Sequence, residues 1–147
     1  MLASVFTFVA ALAATAAATP AAVEARETYA TWPAINWHEG CSPGGCRGQF
    51  NISAPAGYVQ GAPAFNVHCY TTYIQQGWTQ CVAIGDQAAG SYVESVWPMA
   101  SQRELINIGV SHIWTEGEAR YNASGSVEFE STATTFDVPV TLLSAVL

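Results

Sequence analysis

Four cysteines constrain the fold of this chain more than any other feature, and all of them lie within residues 41–81. Cys41 and Cys46 flank Ser-Pro-Gly-Gly, and Cys69 and Cys81 flank eleven residues that include Gly-Trp. Four cysteines allow three pairings. A Pro-Gly-Gly turn favours the local pair Cys41–Cys46, because proline fixes φ, glycine accepts positive φ, and the turn shortens the distance between the cysteines. We therefore predict two local disulfides, Cys41–Cys46 and Cys69–Cys81, the second joining the ends of a β-hairpin.

A zinc site is the alternative use of the same cysteines. Their spacing, C-x4-C and C-x11-C, lacks the C-x2-C pairs that are typical of structural zinc sites. The N-terminus favours disulfides instead, because residues 1–18 form one apolar run that ends in Ala-Ala-Ala and matches a signal peptide with its cleavage signature. We therefore expect a secreted, extracellular protein, in which cysteines pair as disulfides.

The rest of the chain has the size and charge of one exported domain. Residues 19–26 resemble a short pro-segment cut after a basic residue, with a disordered mature N-terminus as the alternative, and residues 27–147 suffice for a single β domain. The net charge of −7, with no lysine, opposes binding to nucleic acid and to anionic membranes. No apolar run after the signal peptide is long enough to predict a transmembrane segment.

Alternating apolar and polar residues predict an all-β fold. The clearest strand covers residues 106–114, and the other predicted strands cover residues 35–40, 49–53, 65–69, 78–84, 92–97, 121–129 and 136–142. We expect segment 78–84 to pair with 65–69, Gly125 to interrupt its strand, and Pro139 to lie at an edge or bulge. We expect residues 99–104 to form a helical turn and residues 144–147 to extend beyond the last strand. The pattern predicts a single-domain antiparallel β-barrel or β-sandwich of about seven to eight strands.

Residues with metal-binding potential are few and scattered. His38, His68 and His112 could in principle ligate a metal, but they fall on three predicted strands without ligand spacing. His112 lies on an apolar strand face, which is more typical of a buried structural histidine. We therefore predict no metal site and no cofactor.

Catalytic motifs are equally sparse. The pairs Glu116/Glu118 and Glu128/Glu130 have the residue type that glycosidases use, and a solvated polar face is the alternative. A G-x-S-x-G nucleophile motif and phosphate-binding glycine loops are absent from the sequence. We therefore predict no catalytic residue and a protein that is not an enzyme.

Aromatic residues and glycosylation sequons are the remaining candidates for functional surface. Five aromatic residues fall outside clear core positions and could form ligand platforms or cap the ends of the core: Trp32, Tyr58, Tyr70, Tyr73 and Trp97. Two Asn-x-Ser sequons predict N-glycosylation at Asn51 and Asn122, and both asparagines alternate away from the apolar face. We expect Asn122, near a turn at Gly125, to be the more accessible of the two.

The order of these segments resembles a known group of proteins. A signal peptide precedes a short-range cysteine pair, then QFNIS, FNVHC, WTQC, the strand INIGVSHIW and a glycine-bearing hairpin. This order resembles the small secreted fungal proteins of the Alternaria major-allergen-like superfamily, and more closely its hypersensitive-response-inducing elicitors from plant-pathogenic fungi. The resemblance implies a compact antiparallel β fold in which Cys41, Cys46, Cys69 and Cys81 form two disulfides.

The same resemblance implies a function at the plant surface or in the apoplast. We expect a fungal effector that binds a plant extracellular or plasma-membrane protein and induces defence responses and hypersensitive cell death. Alternatives are a secreted small-ligand-binding or cell-wall-associated β-barrel protein and a small wall-active hydrolase.

Overall fold

Two antiparallel sheets pack face to face in a sandwich-like arrangement, and the described residues form no closed barrel. The computed structural model describes residues 26–73, 77–98 and 104–147, so the predicted signal peptide, the pro-segment before Arg26 and most of the predicted turn at 99–104 lie outside it. The strands are β1 (Ala30–Ser42), β2 (Gly45–Ala54), β3 (Phe65–Thr72), β4 (Thr79–Gln80), β5 (Val82–Ala83), β6 (Tyr92–Val96), β7 (Leu105–Glu116), β8 (Ala119–Glu130), β9 (Phe136–Val140) and β10 (Leu142–Val146). No helix in the described part of the chain is long and apolar enough to cross a membrane.

Each sheet has five strands, and the alternation in the sequence decides which side chains face the core. The first sheet has the order β5-β3-β2-β1-β9 and the second the order β10-β8-β7-β6-β4. Their inner faces meet in an aromatic core that includes Trp32, Trp37, Phe50, Phe65 and Trp114. Burial of these large side chains is the main source of stability in a domain of this size.

Both predicted disulfides are confirmed. Cys41 and Cys46 lie opposite each other where β1 turns into β2, with their Cα atoms 4.0 Å apart. Cys69 on β3 is bonded to Cys81, with their Cα atoms 4.3 Å apart, and both residues are buried. All four cysteines are therefore oxidised, which excludes a zinc site built from their thiolates.

The chain passes from one sheet to the other at Cys81. β4, just before it, pairs with β6 of the second sheet, whereas β5, just after it, pairs with β3 of the first. The prediction that residues 78–84 pair as one strand with 65–69 is therefore wrong for its first half. The Cys69–Cys81 bond fixes the position of this crossing, which two-residue strands alone would hold only weakly.

The C-terminal part of the chain differs most from the prediction. β9 is an edge strand that pairs only with β1 among the described strands, which confirms the edge position of Pro139. Gly125 does not interrupt β8, which is continuous; a Cβ atom there would lie 1.8 Å from the carbonyl oxygen of Pro139, so glycine permits the close crossing of β9. Residues 144–146 do not extend freely either, because β10 pairs with β8 along its length.

Candidate functional site

The outer face of the second sheet carries a tryptophan that is not part of the buried core. Trp78 is 49% exposed. Its ring lies against β7 at Gly109, where a Cβ atom would be 3.2 Å from Cη2 of Trp78 and 2.9 Å from Cγ1 of Val96. A glycine inside a strand is destabilising by roughly 0.5–1 kcal/mol relative to alanine and often marks the close approach of another group. Here the missing side chain makes room for the indole.

Small polar side chains lie beside Trp78 on the same face. Glu94 on β6, Ser111 on β7 and Ser124 on β8 are directly opposite one another across the three strands, so they share this face. Ser111 donates a hydrogen bond from Oγ to Oδ1 of Asn122, at 2.8 Å, which fixes the orientation of that amide. We call Trp78, Glu94, Ser111, Asn122 and Ser124 together the Trp78 face.

Two ionisable side chains, Glu94 and Arg120, lie close together on this side of the sheet. Burial raises the pKa of the Glu94 carboxyl above its usual value, and the nearby Arg120 guanidinium lowers it by a smaller amount. Arg120 donates a hydrogen bond from Nη2 to the Tyr92 hydroxyl and lies 5.9 Å from the centre of that ring. Glu94 is thus the one carboxyl in the described residues whose pKa is clearly raised, and it lies beside an exposed tryptophan, a combination typical of functional surfaces.

The outer face of the first sheet carries a different set of exposed groups. Tyr70 on β3 is 56% exposed and packs edge-on against His68, with ring centres 4.4 Å apart. The His68 ring is hydrogen-bonded through Nδ1 to the Asn51 side chain. Among the residues that the structure describes, this surface has no glycine beneath its aromatic ring and no carboxyl with a clearly raised pKa. Tyr70 therefore serves as an internal comparison for Trp78.

His112 is a buried structural histidine, as its place on an apolar strand face predicts. It is fully buried, with Nδ1 at 2.7 Å from the Tyr58 hydroxyl and Nε2 at 2.8 Å from the Ser91 hydroxyl. Both ring nitrogens of the neutral imidazole are satisfied in this way, because a hydroxyl can either donate or accept. Burial lowers the pKa of His112 to about 4 and raises the pKa of Tyr58.

The contact between Ser91 and His112 resembles a nucleophile–base pair in distance but not in chemistry. A general base works best when its pKa lies near the operating pH, and a histidine with a pKa of about 4 is a weak base at neutral pH. The Tyr58–His112–Ser91 hydrogen bonds instead connect the loop before β3, the segment before β6 and the middle of β7. We assign them a structural role.

A small apolar cavity lies where β8 and β10 meet the loop between β2 and β3. Its volume is about 290 Å³. Trp114 and Tyr121 form one wall, stacked with their ring centres 5.5 Å apart and their planes 12° apart. Val59, Gln60 and Leu143 are among the other lining residues. The size lies at the lower end of the range for small-molecule sites.

The structure divides the aromatic candidates from the sequence into three groups. Trp32 and Trp97 are buried and belong to the core, Tyr58 and Tyr73 are half-buried, and only Tyr70 is exposed. Trp78 was placed in a predicted strand and was missed as a surface candidate. Gly109 gave a signal for it, because it is the only glycine in a strand otherwise rich in β-branched residues.

The two sequon asparagines occupy the middle of opposite outer faces. Asn51 lies within β2 and Asn122 within β8, both half-buried, and each is hydrogen-bonded to a side chain of the neighbouring strand. The turn expected beside Asn122 does not exist, because β8 continues through Gly125. N-glycosylation at both positions stays a prediction.

The metal and glycosidase candidates are not brought together. Within the described residues, no group of three or more histidine, cysteine, aspartate or glutamate side chains is placed to hold a metal ion. His38 and His68 lie in the first sheet and His112 in the second. The carboxylates of both pairs are exposed, Glu116 and Glu118 at the turn between β7 and β8, and Glu128 and Glu130 at the end of β8.

Comparison of the chain with protein-family models, curated proteins and solved structures found no match. The functional interpretation therefore depends on the geometry of the faces themselves.

Proposed function

We propose that this chain is a secreted fungal effector that acts by binding at the plant surface or in the apoplast, where it induces defence responses and hypersensitive cell death. The observation that carries the proposal is the Trp78 face, which lies on a sandwich stapled by two disulfides. A half-exposed tryptophan beside oriented polar groups is the composition of a binding surface, since aromatic anchors with a polar surround dominate recognition.

The scaffold suits an extracellular binding protein. Two disulfides limit the unfolded state of a small domain and persist in oxidising compartments. The core behind the Trp78 face is filled by side chains of both sheets, so regular strands hold Glu94, Ser111, Asn122 and Ser124, and Trp78 directly precedes β4. The order of cysteines and strands in the sequence resembles that of plant-active fungal elicitors, and the plant-directed part of the proposal rests on this resemblance.

Leaf infiltration with purified protein tests the proposal. One sample is native, and a second is reduced and alkylated at all four cysteines, with loss of structure checked by circular dichroism. We expect the oxidative burst and tissue death only with the native sample, because binding requires the folded surface. Equal activity of both samples would make a linear peptide the signal, and inactivity of both would refute the elicitor proposal.

The cavity beside Trp114 and Tyr121 favours a second function, the binding of a small flat apolar ligand. The stacked rings and Leu143 supply apolar contact, and Gln60 and Asn122 are polar residues of its lining. Titration with the fluorescent probe anilinonaphthalene sulfonate tests this function at the native pH. We expect the native protein to bind the probe, and we expect Leu143→Trp, whose larger side chain fills the cavity, to abolish that binding. The absence of probe binding to the native protein would rule out this second function.

A further inference from the structure

The Trp78 face runs across β7 and β8 and has small residues at its centre, namely Gly109, Ser111, Ser124 and Ser126. Gly109 and Ser111 are buried beneath their neighbours, whereas Ser124 is half-buried and Ser126 is exposed. Ile113, which lies opposite Asn122, is four residues beyond Gly109 on β7. The two positions are therefore about 13 Å apart along the strand. Such a surface fits an extended ligand better than a compact one.

The groups along this surface match the chemistry of sugar rings. A sugar ring presents an apolar C–H face that stacks on an indole and hydroxyls that both donate and accept hydrogen bonds. The exposed part of Trp78 offers the stacking surface. Beside it, Ser124 can donate or accept, the Asn122 amide is held by Ser111, and the Glu94 carboxyl accepts.

The charge of the chain restricts which polysaccharides fit. The net charge is −7, Glu94 is itself on the face, and Arg120, a cation close to Glu94, is hydrogen-bonded to Tyr92. An anionic polymer such as polygalacturonate would be repelled. A neutral chain with β-1,4 linkages is uncharged and forms a flat ribbon, which suits a surface whose central side chains are small.

We infer that the Trp78 face binds a neutral β-1,4-linked polysaccharide of the cell wall, with Trp78 stacking on one sugar ring. The inference rests on the proposed surface-binding function and specifies its ligand. In the chain without a glycan on Asn122, Trp78 acts as the aromatic anchor, while Glu94, Asn122 and Ser124 bind the ring hydroxyls and set the orientation of the polysaccharide. The N-glycan predicted at Asn122 would cover the same face, so the two uses of this residue exclude each other.

The test is depletion of the protein from solution by washed insoluble cellulose, xylan and chitin, with polygalacturonate as the anionic control. The protein is made in an oxidising bacterial compartment, which adds no N-glycan to Asn122. We expect binding to at least one of the neutral polymers and none to polygalacturonate. Trp78→Ala should weaken binding about tenfold, the change expected from loss of one stacking contact.

Tyr70→Ala is the matched control, because it removes an aromatic ring of similar exposure from the opposite face. It should bind as the native protein does. Gly109→Val provides a second route to the same result, since its side chain would displace Trp78 without deleting it. Thermal unfolding shows whether each variant is folded.

Failure of all three neutral polymers to deplete the protein would overturn the inference, as would equal losses for Trp78→Ala and Tyr70→Ala. This assay contains no plant tissue, so its outcome is separate from leaf infiltration. Elicitation without polysaccharide binding would refute only the ligand, and polysaccharide binding without elicitation would refute only the effector function.

Discussion

Replacing His112 by leucine removes the imidazole that connects Tyr58 and Ser91 inside the sandwich. The two side chains are similar in volume, so the main loss is two hydrogen bonds, at 2.7 Å and 2.8 Å. Each such bond contributes about 0.5–1.5 kcal/mol, and a buried hydroxyl left without a partner costs more. At pH 7 we expect the free energy of unfolding to fall by about 2–4 kcal/mol.

The same substitution has a characteristic pH dependence. The pKa of His112 is about 4 in the folded chain, against about 6.5 for an unperturbed histidine. Between these values the unfolded chain binds a proton that the folded chain does not, so this residue's contribution is complete above pH 6.5 and is lost as the pH falls toward 4. The difference between these two pKa values corresponds to a loss of about 3 kcal/mol in the free energy of unfolding. His112→Leu should therefore be strongly destabilising at pH 7 and nearly neutral at pH 4.

Urea unfolding with the disulfides intact measures both effects from the shift in midpoint at constant slope. Tyr58→Phe and the double variant complete a cycle, in which we expect a coupling of about 1 kcal/mol between Tyr58 and His112. His38→Leu, at an exposed histidine, is the control and should change stability by less than about 0.5 kcal/mol. A destabilisation that is the same at pH 7 and pH 4, or additive single effects, would refute the assigned network.

Three further predictions concern the scaffold and the site. Removing the Cys69–Cys81 bond by serine substitution should cost more stability than removing Cys41–Cys46, roughly 3 against roughly 2 kcal/mol from loop length, and the order of melting temperatures checks this. Gly125→Ala should cost about 3 kcal/mol or prevent folding, because its Cβ would collide with the β9 backbone, whereas Gly40→Ala, with open space around it, should be almost neutral by the same measurement. Replacing Glu94 by glutamine should slightly raise stability at neutral pH and leave it unchanged in acid, where the carboxyl is protonated in both the folded and the unfolded chain, because the raised pKa means that ionisation opposes folding. A loss of stability at neutral pH would contradict this interpretation.

The parts of the fold that depend on local signals were predictable from the sequence. The alternation from Ile106 to Trp114 predicts the central strand β7, and it also places His112 inside. The turn chemistry before Cys46 predicts the first disulfide. Pro139 predicts an edge strand because proline cannot donate a ladder hydrogen bond.

The parts that depend on contacts distant in sequence were not predictable. Whether Gly125 ends a strand or lets another one cross depends on where Pro139 lies, which no local pattern encodes. The exchange of sheets at Cys81 is likewise set by pairing with β3 and β6. Trp32 is buried because Tyr58 and Phe65 pack around it, although neighbouring residues in the sequence do not predict this.

The candidate site has the same dependence on long-range packing. Trp78 and Gly109 are separated by 31 residues, and only the sheet brings them together. Glu94 belongs to neither acidic pair noted in the sequence, and only its position beside Ser111 and Arg120 distinguishes it. A glycine inside an apolar strand was the single local signal, and it indicates close approach without naming the partner.

The dose of protein that gives a half-maximal leaf response, compared for the native chain, Trp78→Ala and Tyr70→Ala, tests the central claim most directly. Each variant is first shown to be folded by thermal unfolding. If the Trp78 face is the binding surface, Trp78→Ala needs about ten times more protein, and Tyr70→Ala acts at the native dose. Equal doses for all three proteins would contradict the account, because the exposed tryptophan would then have no part in the activity.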